Sequence, residues 1–284
     1  MEIINRRQRM ASVARKLRRE EDKTIGLVPT MGALHEGHLS LVREARRMCD
    51  VVVVSVFVNP TQFGPGEDFE RYPRDLTGDT TKLADYNVDY IFAPSPDEMY
   101  PKGFATYVTV EGLSEPMEGV ARPGHFRGVA TVLTVLFNTI RPDFAYFGQK
   151  DAQQALVVRR LVRDLDLPVE IEVCPTIREV DGLAMSSRNV RLDAASRTQA
   201  LALRRGLDAA EAAMEGGKRT GADVEAAGRA AMTALGVEPE YFAVVSADTL
   251  APFDDATPTG EVLVAVAARV GGVRLIDNLL LHLA

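Results

Sequence analysis

The sequence is short of cysteine, of histidine and of long apolar runs, and each shortage narrows what the chain can be. Only Cys49 and Cys174 occur in 284 residues. Two thiols so far apart read as ordinary buried residues in a reducing, cytoplasmic compartment, not as a disulfide framework. Four histidines, His35, His38, His125 and His282, supply a His-rich metal cage poorly. No run approaches the roughly 18–20 apolar residues that cross a membrane. The 33 basic residues against 40 acidic ones give a net charge of -7, without the basic stripe of a nucleic-acid partner. No GxGxxG follows the first strand pattern, which disfavours an NAD dehydrogenase. Internal repeats and low-complexity segments are lacking too. No secretory signal is expected. Arg6, Arg7, Arg9, Arg15, Lys16, Arg18 and Arg19 crowd the start. However, Ile3, Ile4, Met10, Val13 and Leu17 repeat with helical spacing and Glu20-Glu21-Asp22 follow, which favours a first helix packed on the fold over a cleaved address.

What is present suits a soluble chain with a real core. Apolar residues make up 46% and charged residues 26%, enough for one large or two modest domains. The organising stretch runs from Thr24 to Leu41, TIGLVPTMGALHEGHLSL. Ile25 to Val28 reads as a buried strand that Pro29 stops, and Thr30-Met31-Gly32 as a tight turn. Apolar spacing then becomes helical through Leu34, His38, Leu41, Val42, Ala45 and Met48. A helix start carries free amides and partial positive charge, and so attracts phosphate. His35 and His38 share a side of that first turn, and Gly37 lets a ring or phosphate approach the backbone. The unit reads as a grip on a nucleotide triphosphate that assists bond breaking at the α-phosphorus. The same histidine pair is also compatible with half a metal site or with two unrelated surface residues.

Further strands are expected at 51–58, 88–92, 105–110, 143–147 and 169–174, and helices at 38–49, 75–86, 128–140 and 151–165. The alternation predicts an α/β fold, a Rossmann-like doubly wound parallel sheet, over residues 1–176. The 51–58 run is apolar almost throughout, as in a strand covered on both faces. Beyond about 190 the texture changes to alanine-rich helices at 193–215 and 221–235. Strands follow at 240–246, 261–270 and 273–281, with Gly271-Gly272 as a hairpin turn. Residues 177–284 therefore read as a smaller α+β domain.

Ligands of open α/β sheets bind beyond the carboxyl ends of the strands, and the polar clusters fall there. Lys150 follows Gly148 and can place a point charge on a phosphate, or be a plain surface lysine. Asp151 can hold Mg²⁺ with phosphate oxygens, cap a helix, or both. Ser186, Ser187 and Arg188 suit β- and γ-phosphates, although such a run also makes an ordinary polar turn. Gln62 and Gln154 can both donate and accept, as a substrate with hydroxyls and a carboxylate requires. Asn59 before Pro60 can simply start a turn, and Glu118 and Arg122 can be an ordinary loop ion pair.

With these residues assembled, the chain resembles the pantoate–β-alanine ligase family. The resemblance rests on PTMGALHEGH (29–38), FVNPTQF (57–63), ED with YPR (67–74), RPGHFRGVATVL (122–133), FGQKDAQQ (147–154) and DGLAMSSRN (181–189). One departure is Gln149, where the family more often has Glu or Ala. The resemblance implies that pantoate attacks the α-phosphorus of ATP, and that β-alanine then captures the pantoyl adenylate, releasing AMP. It implies an ATP site formed by Pro29, Thr30, Met31, Gly32, Ala33, Leu34, His35, Glu36, Gly37 and His38. Gly148, Gln149, Lys150, Asp151, Ile177, Met185, Ser186, Ser187 and Arg188 complete that site. His38, His35, Lys150 and Arg188 are the implied catalytic residues, with Mg²⁺ at Asp151. Gln62 and Gln154 are implied to hold pantoate, Gln62 also facing β-alanine, with Asn59, Glu118 and Arg122 as secondary substrate contacts. A homodimer is implied, with neither nucleic acid nor membrane as partner. The 61–74 loop or the second domain is the expected lid over the labile adenylate. The competing readings are a nucleotidylyltransferase of the same HxGH fold and a non-catalytic ATP-binding sensor.

Overall fold

The run Val51–Val56 has no polar alternation, and it lies where such a run must, inside a parallel sheet. A computed structural model describes residues 1–218, 220–253 and 260–283. Six parallel strands form that sheet: β1 (Glu2–Ile4), β2 (Ile25–Thr30), β3 (Val51–Val56), β4 (Tyr90–Phe92), β5 (Phe144–Gly148) and β6 (Glu170–Cys174), in the order β1-β4-β3-β2-β5-β6. The chain winds outward from β2 in both directions, so the sheet reverses its order beside that strand. Val52 and Val54 pack with Leu41, Val42 and Ala45 of the helix Glu36–Met48, all buried. Full burial of each such valine or leucine contributes about 1.5–3 kcal/mol.

Contacts divide the chain into two compact units. One comprises Met1–Gly148 with Gln153–Pro175; the other comprises Gln149–Ala152 with everything from Thr176 onward. The second unit has an antiparallel sheet of β7 (Pro239–Ser246), β8 (Gly260–Val270) and β9 (Val273–Leu283). Its core joins Leu203, Leu207 and Val224 of two helices to Phe242, Val264 and Val266 of the sheet. The split therefore differs from a single cut at 176: the short segment Gln149–Ala152, next to β5 in sequence, packs with the second unit.

Several local expectations need correction. Pro29 does not stop β2, which continues to Thr30 with Pro29 opposite Ser55. The ladder to β5 ends at Leu27, so the missing amide hydrogen falls where β2 has a neighbour on one side only. Ile3 and Ile4 lie not on the first helix, which is Arg7–Arg19, but in β1 beside β4. Residues 105–110 form no strand. They are tied instead to the helix His125–Ile140, through the Val108 amide on Thr131 Oγ1 and the Arg127 guanidinium 3.8 Å from the Tyr107 ring centroid. Met48 is exposed rather than on the buried side of its helix.

The helix His125–Ile140 meets the 3₁₀ turn Pro60–Gln62 at Gly128. A methyl group there would lie 2.4 Å from the Thr61 carbonyl oxygen and 2.6 Å from Gln62 Cα. Backbone atoms cannot swing aside as a flexible side chain would. Gly128→Ala is expected to cost about 1–3 kcal/mol and to displace Gln62. Denaturant unfolding checks the first expectation, and an unchanged midpoint would refute it.

Candidate active site

Between β2 and its following helix the chain must turn sharply, and the turn is held by side chains accepting its free amides. Thr30 Oγ1 donates to the Ser55 carbonyl at 2.7 Å and accepts from the Gly32 amide at 3.1 Å. Gly32 and Ala33 both take positive φ, +84° and +51°. The conformation is compensated by Asp79, whose two oxygens accept from the Ala33 amide at 2.9 Å and the Leu34 amide at 2.7 Å. Asp79 is 1% exposed. Nothing local in the sequence marks it, because it acts on residues 45 and 46 positions away.

The helix then begins at Glu36 with His35 as its N-cap. His35 Nδ1 accepts from the Gly37 amide at 3.1 Å, and His38 Nδ1 accepts from the His35 amide at 3.3 Å. The two rings lie with centroids 4.1 Å apart. This is a capping box built from two imidazoles. Because each Nδ1 accepts, the proton of each neutral ring sits on Nε2. Two Nε2–H donors thus flank the start of a helix, where the partial positive charge already favours an anion.

Next to β2, the end of β3 leads into Asn59 and the turn Pro60–Gln62. Asn59 is 1% exposed, and its hydrogen-bonding groups are engaged within the protein. Its Nδ2 donates to Gln62 Oε1 at 3.0 Å and to the Gly128 carbonyl at 3.1 Å; its Oδ1 accepts from Thr61 and from Tyr100 Oη. Asn59 therefore orients Gln62, whose Nε2 otherwise meets only a weak acceptor, the Met31 sulfur at 3.2 Å. Arg122 meets Glu118 through the backbone, its amide donating to the Glu118 carbonyl at 2.8 Å. Its guanidinium grips Glu67 at 2.9 and 2.7 Å and reaches His125 Nε2 at 3.1 Å. Glu118 is buried, and its amide donates to Gln153 Oε1. Gln153 donates in turn to the Leu113 and Pro116 carbonyls. The neighbouring Gln154 is half-buried, and its side-chain amide has no hydrogen-bond partner among the described residues.

Sequence reasoning passes over His125, although the GHFRG run carries it. It is buried, its Nδ1 donates to the Gln62 carbonyl at 2.9 Å, and Arg122 meets its other nitrogen. Burial first, and the Arg122 charge second, push its pKa down to about 4. The ring is neutral at pH 7. For Glu67, burial raises the carboxyl, but the Arg122 hydrogen bond and charge together hold it below the usual range.

The second unit holds the remaining candidates. Gln149, Lys150 and Asp151 form one 3₁₀ turn, with Lys150 Nζ 3.4 Å from Asp151 Oδ1. Ile177 accepts from the Met185 amide at 3.0 Å, and Arg178 bridges to Ala184, so 177–185 doubles back and presents Ser186, Ser187 and Arg188 at its close. Ser186 Oγ accepts from the Arg188 amide at 3.2 Å. Among the described residues, no three His, Cys, Asp or Glu side chains converge as a metal cage.

The strands ending at Thr30, Val56, Gly148 and Cys174 are consecutive neighbours in the sheet, β3-β2-β5-β6. The order reverses beside β2, which is where open α/β sheets bind their ligands.

A sequence model of the family described as pantoate-beta-alanine ligase matches residues 2–280. The pantothenate synthetase of Moorella thermoacetica is 55% identical over 265 residues, 93% of each chain. That of Thermotoga neapolitana is 53% identical over 282 residues, 99% of this chain and 100% of its own. Among solved structures, pantothenate synthetase from Thermus thermophilus matches with a TM-score of 0.91 at 48% identity, over 98% of this chain and 99% of that one. The pantoate-beta-alanine ligase of Francisella tularensis, complexed with beta-gamma ATP and beta-alanine, gives 0.80 at 33% identity, over 99% and 97%.

The buried polar groups can be tested by substitution. Asp79→Ala leaves the Ala33 and Leu34 amides without their acceptor; at about 1–3 kcal/mol each, the loss should be about 2–6 kcal/mol. Thermal melting reads it, and wild-type stability would show that the turn needs no such support. His125 resists a proton that the unfolded chain accepts below about pH 6.5. Its contribution is thus present above that pH and is lost as pH falls through about 4. His125→Asn keeps a donor near the Nδ1 position but does not titrate. Its stability should fall less steeply between pH 6.5 and 4, by up to ~1.4 kcal/mol per pH unit; identical slopes would refute the role of His125.

Proposed function

The chain belongs to the pantoate–β-alanine ligase family, and we propose how its residues divide the work of that reaction. The activity is the ATP-dependent condensation of pantoate with β-alanine to pantothenate, with release of AMP and diphosphate. A carboxylate is a poor acylating agent. In the first step a pantoate oxygen bonds to the α-phosphorus, the bond from that phosphorus to the β-bridging oxygen breaks, and diphosphate leaves. In the second, the neutral β-alanine amine bonds to the acyl carbon, its nitrogen gives up one proton to solvent, the bond from that carbon to the AMP oxygen breaks, and AMP leaves.

The first step gathers negative charge on the bridging and departing oxygens, so preorganised donors aimed there lower the barrier. His38 and His35 supply Nε2–H donors at a helix start, and this pair carries the reading: their tautomer is set by the cap before any ligand arrives. His38 acts toward the α–β bridge, and His35 supports a phosphate contact. Lys150, Ser187 and Arg188 meet the β- and γ-phosphates that become diphosphate. Nucleotide contacts are assigned to each unit by family likeness, to residues 29–38 and Gly148 in the first and to Gln149–Asp151, Ile177 and residues 185–188 in the second. Gln62 and Gln154 hold pantoate, a role supported by the weakly engaged Gln62 amide and by a Gln154 amide with no partner among the described residues. Asn59, Arg122 and Glu118 serve one step back, as the frame of Gln62 and of the loop around Gln153.

Mg²⁺ suits this site as a companion of ATP. It is typically bound by one or two carboxylates plus substrate phosphates, and Asp151 beside Lys150 offers one such carboxylate. When bound it would neutralise phosphate charge. The same family reading carries a homodimer and a cytoplasmic location. No helix among the described residues is long and apolar enough to cross a membrane.

The decisive experiment mixes protein, ATP, Mg²⁺ and pantoate without the amine. Diphosphate is expected in amounts matching the enzyme, with a bound acyl adenylate that releases AMP only when β-alanine is added. An adenylated product that persists after β-alanine would mark a nucleotidylyltransferase, and ATP binding without diphosphate a sensor. His38→Gln keeps an acceptor at a position where a capping box accepts glutamine. It should lower diphosphate formation by about 10²–10³-fold with little change in melting temperature. A wild-type rate would remove His38 from the chemistry.

A further inference from the structure

Two buried polar side chains stand in the middle of a hairpin whose other charged residues lie toward its ends, and their contacts point toward the residues assigned to the phosphates. Asp277 and Asn278 lie on β9 opposite Val266 and Ala265 of β8. They are 3% and 5% exposed. Burying such groups costs several kcal/mol unless they are fully partnered, and valine or leucine would pack there without that cost. The partners therefore indicate what the pair is for.

Asn278 Nδ2 donates to the Gln149 carbonyl at 2.9 Å and to the Lys150 carbonyl at 2.8 Å, while its Oδ1 accepts from Gln149 Nε2 at 3.1 Å. One side chain thus holds the turn that carries Lys150, from 128 residues away. These contacts give a physical reason for Gln149–Ala152 packing with the second unit. Asp277 accepts both arms of Arg178, at 2.7 and 3.0 Å, and its Oδ1 also accepts from the Asn278 amide at 2.8 Å. Arg178 reaches the Gly182 carbonyl at 3.1 Å. It thereby ties down the 177–185 segment that leads into Ser186–Arg188. Adjacent residues of one strand fasten both chain segments bearing the cations assigned to the β- and γ-phosphates.

We infer that Asn278 is a positioning residue for Lys150, with Asp277 doing the same through Arg178 for the Ser186–Arg188 segment. The terminal strand thereby sets the geometry of diphosphate departure. This rests on the reading that Lys150 meets the phosphates. Asn278 touches no reacting atom; it acts by fixing the backbone from which the Lys150 side chain extends.

The test is a double-mutant cycle on diphosphate formation from ATP and pantoate, with melting curves for every variant. Asn278→Ala should lower kcat by about 10²-fold, the scale of a 1 Å misplacement, and leave the KM for pantoate within about 2-fold. In a Lys150→Ala background the same substitution should cost less than about 3-fold, because the group it positions is gone. Asn278→Asp is a near-isosteric second variant: it keeps the acceptor for Gln149 Nε2 and turns the two donors into acceptors. It should lose at least as much kcat while remaining folded. Full multiplication of the Asn278 and Lys150 losses would overturn the positioning role while leaving Lys150 on the phosphates. A wild-type kcat in folded Asn278→Ala would do the same. A wild-type rate in Lys150→Ala would overturn the phosphate assignment itself and the positioning role with it. Unfolding of both Asn278 variants would make the residue a determinant of the fold and overturn the inference.

Discussion

Between the end of a strand and the first turn of a helix, backbone amides have no ladder and no helical partner, and the turn after β2 depends on what accepts them. Asp79 takes two, Thr30 takes one, and the Nδ1 atoms of His35 and His38 take two more. A buried unsatisfied amide costs about 1–3 kcal/mol, so the set outweighs the strain of positive φ at Gly32 and Ala33. The arrangement is stable and directional at once. Amides that would otherwise point anywhere are tied by side chains of the turn itself and by Asp79.

The same logic governs the turn that carries Gln62. Gln62 is held by Asn59 through its side chain and by His125 through its carbonyl, with Gly128 letting a helix close against the turn. His125 stays neutral because burial and the Arg122 charge both oppose protonation. That neutrality lets Nδ1–H donate to Gln62 while Nε2 receives Arg122. Arg122 in turn anchors Glu67, so the 61–74 loop is fastened to the 122–125 segment by a two-pronged ion pair. Both side chains are largely shielded, a setting in which such a pair matters more than on an open surface.

Much of this is legible in the sequence, and the rest is hidden for identifiable reasons. The strand–turn–helix around residue 30 and the polar clusters after four strands are local patterns, and local patterns are what periodicity reads. β1 has three residues, too few for a period, and its isoleucines blend into the apolar spacing of the first helix. Residues 105–110 alternate like a strand but join neither described sheet, and side chains of a helix hold them instead. Asp79, Glu67 and Arg178 act across long sequence separations, and a residue type in isolation does not reveal its partner. Asn59 and Arg122 stand inside recognisable motifs, but a motif does not distinguish touching a ligand from orienting the residue that does. Asp277-Asn278 is readable in principle, as two adjacent polar residues at the centre of VRLIDNLLL; an apolar strand interrupted there is itself a signal.

That interruption bears on why the smaller unit has the sheet it does. A three-stranded antiparallel sheet with helices against it could be stabilised by apolar side chains alone, and β8 is built that way from Val262 to Ala268. At its centre β9 departs from the pattern where it meets the Lys150 turn and Arg178; its other charged residues, Arg274 and His282, sit next to the strand ends. Hydrogen bonds from a strand centre are better suited to fixing a loop than bonds from another loop, because the strand is held by ladders along its length. Lys150 is a flexible four-carbon arm, and the precision of its charge is limited by the backbone that carries it. Anchoring that backbone to the middle of a sheet narrows the volume the ammonium explores. In the proposed reaction, that restriction is worth most when charge appears on the departing diphosphate, since a preorganised cation need not reorganise at that moment.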